Sequence, residues 1–165
     1  MVKDDKPSAI VGVDPGGSGA VCLLPLDGSA PHFLDMPDDE NLRDIVWFYN
    51  EMVEQFDIKL VVLEKVWGIP NQSAKANFRL GFYTGVWKMY QNFFDAPLTD
   101  VPPATWQKVT GQRAVKHRDS KVRTVTVCDE LYPNSAIRGP KGGLLDGRAD
   151  ALLLAHYGKL TMEGN

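Results

Sequence analysis

The sequence predicts an α/β fold in which five strands form one mixed sheet flanked by helices. Short apolar runs separated by tight turns occupy the first part of the chain, and apolar runs then alternate with segments of helical periodicity. With 165 residues, 44% hydrophobic and 24% charged, the chain has the size and composition of a soluble globular domain. We therefore expect a single domain over residues 1–165, with residues 1–8 and 161–165 frayed.

The first three strands are predicted to form an antiparallel meander. Residues 9–13 are a continuous apolar run that ends at Asp14. A glycine-rich turn at residues 15–19 follows, and residues 20–24 return as the second strand. Residues 32–34 are the third strand, and the short connections favour antiparallel neighbours.

The next segments predict a helical crossover to a parallel strand. A helix is predicted to start at residues 37–40, where acidic side chains favour the helix dipole, and to end near Asp57. Residues 58–63 form the fourth strand, which Glu64 closes. A strand that is reached through a helix is expected to lie parallel to its neighbour.

The second half of the chain is predicted to be mainly helical. A long helix is expected over residues 74–92, with Gly81 and Gly85 on one face, followed by a fifth strand over residues 96–101. The remaining predicted segments are a short helix at 105–109, a basic loop at 110–118, a helix from Asp119 or Ser120 to about 131, an irregular stretch at 133–143, and a final helix at 146–160.

Four acidic residues lie where predicted elements end or begin. Asp14 and Glu64 each close a strand, and Asp146 and Asp150 share one face of the last helix. Such carboxylates favour Mg²⁺, with Mn²⁺ as a substitute, and commonly hold two ions about 4 Å apart for attack on a phosphodiester. Each acid also has an ordinary structural interpretation: turn chemistry for Asp14, pairing with Lys65 for Glu64, and the helix dipole for the other two.

The charges are distributed unevenly along the chain. With 18 Lys and Arg against 21 Asp and Glu, the formal net charge is −3, which by itself disfavours a nucleic-acid partner. Acidic residues crowd positions 35–54, whereas the segment 108–123 contains six basic residues and a single acid, Asp119. This basic segment is typical of phosphate binding, and a solvated loop and helix face is the equal alternative.

Three acidic motifs resemble those of RuvC-type Holliday junction resolvases: residues 10–16 (IVGVDPG), 61–64 (VVLE) and 146–155 (DGRADALLLA). The last motif is especially similar to phage and organellar members, and the resemblance runs in order over nearly the whole chain. It implies a ribonuclease H-like fold and a metal-dependent endonuclease that resolves four-way DNA junctions by paired symmetric nicks. The family usually has Asp or His three residues before the last Asp. That position is Gly147 here, and the acid has moved to Asp146.

The resemblance also implies roles for individual residues. It makes Asp14, Glu64, Asp146 and Asp150 the catalytic ligands of two Mg²⁺ ions, and it places Lys121 near the scissile phosphate. Resolvases of this type carry an aromatic residue three positions after the second acid, where it stacks near the opened junction centre. The candidate DNA-contacting residues are Trp67, Lys108, Arg113, Lys116, Arg118, Lys121, Arg123 and Arg148.

Several residues are predicted to be structural. Trp47, Trp87 and Trp106 lie in apolar patterns and are expected in the core, whereas a core or interface position is the alternative for Trp67. His156 is expected to be structural as well. Cys22 and Cys128 are predicted to be reduced core thiols, with a disulfide as the alternative.

A homodimer is expected because a four-way junction has two equivalent strands to cut. The predicted interface is helix 74–92, and the alternative is that both of its faces are buried within one monomer. With no signal peptide and no membrane-spanning run, we expect a cytoplasmic protein, nucleoid-associated or in a viral host's cytoplasm, with an organelle as a further possibility. The functional alternatives are a ribonuclease H-fold nuclease acting on branched DNA or RNA–DNA hybrids, and a non-catalytic junction-binding protein.

Overall fold

The computed structural model describes residues 6–37, 42–68, 70–90, 92 and 96–164. The strands in these ranges are β1 (Ser8–Asp14), β2 (Ala20–Pro25), β3 (His32–Asp35), β4 (Asp57–Glu64) and β5 (Leu98–Val101). They form one sheet in the order β3-β2-β1-β4-β5. Strand β2 is antiparallel to β1 and β3, and β4 is parallel to β1 and β5. This arrangement confirms the predicted five-stranded mixed sheet and its antiparallel meander.

Helices cover both faces of the sheet. They are α1 (Arg43–Gln55), α2 (Ala74–Tyr90), α3 (Pro103–Val109), α4 (Ser120–Leu131) and α5 (Asp146–Glu163), with a short 3-10 helix at Gln112–Ala114. Helices α1 and α2 pack on one face, and α3, α4 and α5 pack on the other, so each face has its own apolar core. None of the helices in the described part of the chain is long and apolar enough to cross a membrane.

The centre of the fold is the close contact between β1 and α5. Residues 9–13 of β1 are fully buried, and alternate side chains point to opposite cores. A Cβ atom on Gly12 would lie 2.1 Å from the carbonyl oxygen of Ala151 and 2.4 Å from the amide nitrogen of Ala155. The absence of a side chain at Gly12 therefore lets the backbone of α5 rest directly on β1.

The predicted boundaries were wrong at several elements. Helix α1 begins at Arg43 and not at residues 37–40, of which residues 38–40 lie outside the described residues. The carbonyl oxygen of Pro37 instead accepts hydrogen bonds from Arg79 Nη2 at 2.7 Å and Tyr83 Oη at 2.6 Å. This tertiary anchoring holds Pro37 to α2 and keeps it out of the following helix.

Differences at the other boundaries have local causes. Strand β5 starts at Leu98, after a proline that cannot donate to the ladder, and α3 starts two residues early because Pro103 suits a first helical position. Helix α2 ends at Tyr90. Helix α5 continues to Glu163, beyond its predicted end at residue 160, and Ser8 already belongs to β1. The remaining ends, 1–5 and 165, lie outside the described residues.

The expected core positions are confirmed with one exception. Trp87 and Trp106 are buried, whereas Trp47 is 61% exposed because α1 turns Phe48, and not Trp47, toward the sheet. Cys22 and Cys128 are buried free thiols, as predicted. His156 is half-buried, and its Nδ1 lies 2.7 Å from the Tyr132 hydroxyl, a contact that ties α5 to the end of α4.

Candidate active site

Asp14 and Glu64 lie side by side at the ends of two neighbouring parallel strands. Val13 pairs with Leu63 in the β1–β4 ladder, so the next residue of each strand is an acid. Both acids occupy the positions that alternate with residues of the α1–α2 core, which directs their side chains to the face covered by α5. Strand pairing and alternation thus bring together two acids that are far apart in the sequence.

Helix α5 brings Asp150 to the same place. The first turn of α5 packs against the loop that follows β1, where Gly147 forms a bridge with Gly19. A Cβ atom on Gly147 would lie 2.2 Å from the carbonyl oxygen of Ser18, so this approach requires glycine. Asp150 lies one helical turn further along and faces Asp14 across the contact.

The electrostatics confirm that three carboxyl groups share one environment. Burial raises the pKa of Asp14, and a hydrogen bond from Gly16 N at 2.9 Å partly offsets the rise. Burial and then repulsion from Asp14 raise the pKa of Glu64 to about 7. Burial and then repulsion from Asp14 and Glu64 raise the pKa of Asp150 to about 7. At neutral pH Glu64 and Asp150 are therefore partly protonated, and the cluster carries less negative charge than three ordinary carboxylates would.

The donor set fits a hard divalent cation, although its oxygens do not yet surround a common point. Within the described ranges, no group of three or more His, Cys, Asp or Glu side chains has the geometry of a metal site. The carboxylates of Asp14, Glu64 and Asp150 nevertheless repel one another, and a divalent cation with oxygen ligands would offset that repulsion. Side-chain rotation is required for them to share an ion, so the metal site stays a prediction.

Asp146 occupies the edge of this cluster together with Lys121. Asp146 is the first residue of α5, and its carboxylate forms an ion pair with the Lys121 ammonium group from α4. The hydrogen bond and the charge of Asp146 raise the pKa of Lys121, which stays cationic. Both side chains line a small polar pocket that also contains Asp150. All five residues predicted to be catalytic are therefore brought to one end of the sheet.

Two hydrogen-bonded groups beneath the carboxylates were missed by the sequence analysis. Trp106, on α3, donates from Nε1 to Glu64 Oε1 at 3.0 Å. Gln112 donates from Nε2 to the Thr124 hydroxyl, which donates to the Ser120 carbonyl oxygen at 3.1 Å and lies near enough to Asp150 to lower the pKa of that carboxyl group. Only the apolar pattern around Trp106 was visible in the sequence, and it indicated a core residue without indicating a partner.

The basic residues that are predicted to contact DNA fall into two groups, one exposed and one hydrogen-bonded within the protein. Lys108, Arg113, Lys116 and Arg118 are exposed along the segment from α3 to the start of α4. Arg123 differs from them because its guanidinium group donates to the carbonyl oxygens of His117 and Arg118, at 2.8 and 3.1 Å, and so shapes the loop before α4.

Arg148 also has internal partners. Its Nε and Nη2 donate to the two carboxylate oxygens of Asp35 at 2.6 and 2.8 Å, and its Nη1 donates to the Ala136 carbonyl oxygen at 3.0 Å. These bonds attach β3 and the irregular segment before α5 to α5 itself. The sequence did not indicate this pairing, since Asp35 and Arg148 are far apart along the chain.

Trp67 lies on the loop that follows β4, beyond Glu64. Its side chain is 61% exposed, which excludes the core alternative. The Lys65 ammonium group lies 5.6 Å from the centre of the indole ring, a cation–π distance. The ring is therefore presented to solvent at the same end of the sheet as the acidic cluster.

Comparisons with known proteins agree with this architecture. No family model matches the sequence, and no curated protein matches it. Among solved structures, Thermus thermophilus RuvC in complex with a Holliday junction substrate superimposes with a TM-score of 0.61 at 14% identity, over 95% of this chain and 96% of that chain. Thermus thermophilus RuvC in a second structure gives a TM-score of 0.58 at 16% identity, over 93% of this chain and 96% of that one.

A third similar structure is the yeast mitochondrial Holliday junction resolvase. It has a TM-score of 0.57 and 16% identity, with 92% of this chain and 78% of that chain covered. At these identities the likeness establishes the fold, which is that of RuvC and the ribonuclease H-like proteins. The predicted fold class is therefore confirmed.

Proposed function

We propose that this protein is a metal-dependent endonuclease that resolves four-way DNA junctions as a homodimer. The observation that carries the proposal is the convergence of Asp14, Glu64 and Asp150, from two strand ends and one helix, into one cluster. Burial raises the pKa of all three carboxyl groups, and repulsion from Asp14 raises those of Glu64 and Asp150 further. The shared fold with two kinds of Holliday junction resolvase supports the choice of substrate.

In this proposal the acidic cluster holds Mg²⁺ through Asp14, Glu64, Asp150 and Asp146. Two bound Mg²⁺ ions would activate the attacking water and stabilise charge on the leaving oxygen of the phosphodiester. Lys121 is placed by α4 to contribute positive charge at the scissile phosphate, once its ion pair with Asp146 is exchanged for DNA. The close contact between β1 and α5 at Gly12 holds Asp14 and Asp150 near each other.

The DNA would cross this end of the sheet and continue over the basic segment. Lys108, Arg113, Lys116 and Arg118 are exposed beside the acidic cluster, where phosphates of the junction arms would pass. The acidic residues of α1, on the opposite face of the sheet, would disfavour DNA there. The net charge of −3 therefore does not conflict with a DNA partner.

A cleavage assay with four labelled substrates tests the function directly. We expect Mg²⁺-dependent nicks in a synthetic four-way junction, and little or no cleavage of linear duplex, flap or RNA–DNA hybrid. Equal cleavage of the flap or the hybrid would indicate a different nuclease of this fold. Tight junction binding without cleavage in Mg²⁺ or Mn²⁺ would indicate a non-catalytic junction-binding protein.

Trp67→Ala is expected to slow cleavage of fully paired junctions. Loss of a stacking contact worth roughly 1–3 kcal/mol corresponds to a roughly 5- to 150-fold effect. Junctions with unpaired bases at the centre should be affected less, because the protein no longer has to open them. The free energy of unfolding should change by less than about 0.5 kcal/mol, as is usual at exposed positions.

Trp47→Ala is the matched control, since Trp47 is equally exposed but lies on α1, on the other face of the sheet. The role of Trp67 would be disproved if both variants cut paired and preopened junctions in the same ratio as the wild-type protein.

Gly85→Leu is expected to convert the proposed dimer to a monomer. Phe78 is 62% exposed on α2, and Met89 is also exposed on this side, so the described residues of the monomer leave this face uncovered. A Cβ atom at Gly81 or Gly85 would meet nothing within 4 Å, which gives a second helix room to approach. Sedimentation should show twice the chain mass of 18.3 kDa for the wild-type protein and a single chain for Gly85→Leu.

Gly85→Ala is the control for that experiment, because a single methyl group fits the open space and favours the helix. With Gly85→Leu, paired nicking should give way to slow single nicks. A wild-type monomer that makes both cuts in one binding event would refute the dimer.

A further inference from the structure

The layer formed by α3, the 3-10 helix and α4 contacts two of the acidic residues, Glu64 and Asp150, from the protein interior. From α3, the indole N–H of Trp106 reaches Glu64 Oε1 at 3.0 Å. From α4, the Thr124 hydroxyl accepts a hydrogen bond from Gln112 Nε2 and donates to the Ser120 carbonyl oxygen at 3.1 Å, and it lies close enough to Asp150 for a hydrogen bond that lowers the pKa of that carboxyl group. Trp106, Gln112 and Thr124 are all buried, so these bonds form in a protected interior and not on a solvated surface.

The bond from Trp106 is specific to Glu64. Trp106 is 1% exposed, and its indole N–H can only donate. It is directed at one of the two carboxylate oxygens, which leaves the other oxygen of Glu64 for a ligand. The end of β4 is also held from the β5 side, because Lys65 N donates to the Val101 carbonyl oxygen at 2.8 Å, one residue before the loop that leads into α3.

A comparison within the chain shows that this bond is not required to bury an indole. Trp87 is also fully buried, on the opposite face of the sheet, and its Nε1 has no hydrogen-bond partner among the described residues. The fold therefore accepts a tryptophan in its core without an acceptor. The hydrogen bond between Trp106 and Glu64 is therefore not needed to bury the indole, and we attribute to it the orientation of the Glu64 side chain.

We propose that Trp106 and the Gln112–Thr124 pair are positioning residues that fix the side-chain orientations of Glu64 and Asp150 for metal binding. The inference rests on the proposed function and deepens it. In this inference, hydrogen bonds from α3 and α4 orient the free oxygen of Glu64 and the carboxylate of Asp150 toward a shared Mg²⁺ or Mn²⁺ ion. Outer hydrogen bonds of this kind orient metal ligands, and their removal typically weakens metal affinity by about 10- to 100-fold.

The test compares two tryptophan variants by direct Mn²⁺ binding, measured by calorimetry without DNA. Trp106→Phe removes the N–H but keeps most of the ring, and Trp87→Phe makes the same chemical change where no such bond exists. We expect Trp106→Phe to weaken Mn²⁺ affinity about 10- to 100-fold, and Trp87→Phe to change it less than about twofold. The melting temperature without metal should fall more for Trp106→Phe, since only that variant also loses a hydrogen bond, so metal binding is compared at a temperature where both variants are folded.

The Asp150 side is tested in the same way with threonine variants. Thr124→Val keeps the shape of the side chain and removes the hydroxyl group. Thr126→Val is its control, because Thr126 lies two residues further along α4 and donates to the Val122 carbonyl oxygen at 2.8 Å, just as Thr124 donates to the Ser120 carbonyl oxygen at 3.1 Å. We expect weaker Mn²⁺ binding for Thr124→Val alone. Cleavage by Thr124→Val and Trp106→Phe should need more Mg²⁺ to reach half its maximal rate.

A spectroscopic measurement on the wild-type protein covers the case in which a variant does not fold. With ¹⁵N-labelled tryptophan the protein has four indole N–H signals, one for each of its 4 tryptophans. Addition of Mg²⁺ should shift the Trp106 signal and leave the Trp87 signal in place. Wild-type Mn²⁺ affinity in both Trp106→Phe and Thr124→Val would overturn the positioning role while leaving the nuclease proposal intact. Absence of Mn²⁺ binding by the wild-type protein would overturn both.

Discussion

Asp150→Asn is expected to abolish cleavage and, at the same time, to make the metal-free protein more stable at pH 8. The asparagine keeps the size and a hydrogen-bonding oxygen of Asp150 but removes a charge that Asp14 and Glu64 repel. Because Asp150 is proposed to bind the metal directly, cleavage should fall by more than the roughly 100-fold that loss of an outer hydrogen bond can cause. Junction binding should persist, since the basic segment is unchanged.

The gain in stability should depend on pH in a defined direction. The pKa of Asp150 is about 7 in the folded protein and lies near 3.8 without the fold, so the folded state holds the proton more tightly. The wild-type protein therefore loses stability as the pH rises between those two values, and the loss is complete above about pH 7. The melting temperature of Asp150→Asn should exceed that of the wild-type protein more at pH 8 than at pH 5.

Addition of Mg²⁺ at pH 8 should make the wild-type protein melt at a higher temperature than Asp150→Asn. A ligand present at about 100 times its dissociation constant stabilises a protein by about 2.7 kcal/mol, so wild-type protein should gain stability at pH 8 while Asp150→Asn should not. Asp146→Asn is the control for the metal-free comparison only, because Asp146 is paired with Lys121 and its loss relieves little repulsion. Full activity of Asp150→Asn, or a lower melting temperature without metal at pH 8, would contradict the shared acidic site.

The sequence was most informative where local pattern and topology agree. Asp14 and Glu64 each follow an unbroken apolar run, and a helical crossover makes their strands parallel neighbours. Their meeting could therefore be predicted without coordinates. The position of Asp150 on the first turns of a helix followed from its apolar continuation, in which residues 151–155 are all buried.

The contacts that could not be predicted join segments that are far apart in the chain. The hydrogen bonds of Trp106 to Glu64 and of Arg148 to Asp35 depend on how loops pack, which periodicity does not encode. Pro37 was misassigned for the same reason, because the acidic residues after it indicated a helix start, whereas its carbonyl oxygen accepts tertiary hydrogen bonds from α2. Trp47 was misplaced because an apolar pattern does not distinguish a core residue from an exposed aromatic one.

Gly147→Asp places an acid at the position where the family that this sequence resembles usually has Asp or His, and it is nevertheless expected to inactivate the protein. A Cβ atom at Gly147 would lie 2.2 Å from Ser18 O and 2.7 Å from Gly19 Cα, so the first turn of α5 would be displaced from the loop after β1. Asp150 would then move away from Asp14. Overpacking of this kind costs about 1–3 kcal/mol, or a fall in melting temperature of roughly 2–12 °C.

Gly143→Ala is the control for this prediction, since its Cβ would meet nothing within 4 Å and only three residues lie between the two sites. Gly147→Ala should lose cleavage and melting temperature as Gly147→Asp does, because the first added carbon already collides with backbone atoms. Gly147→Asp should also fail to rescue Asp146→Asn. If Gly147→Asp restored cleavage to Asp146→Asn, the acid at residue 147 would be a functional ligand, and the close contact between α5 and the Gly19 loop would not be what brings Asp150 to Asp14.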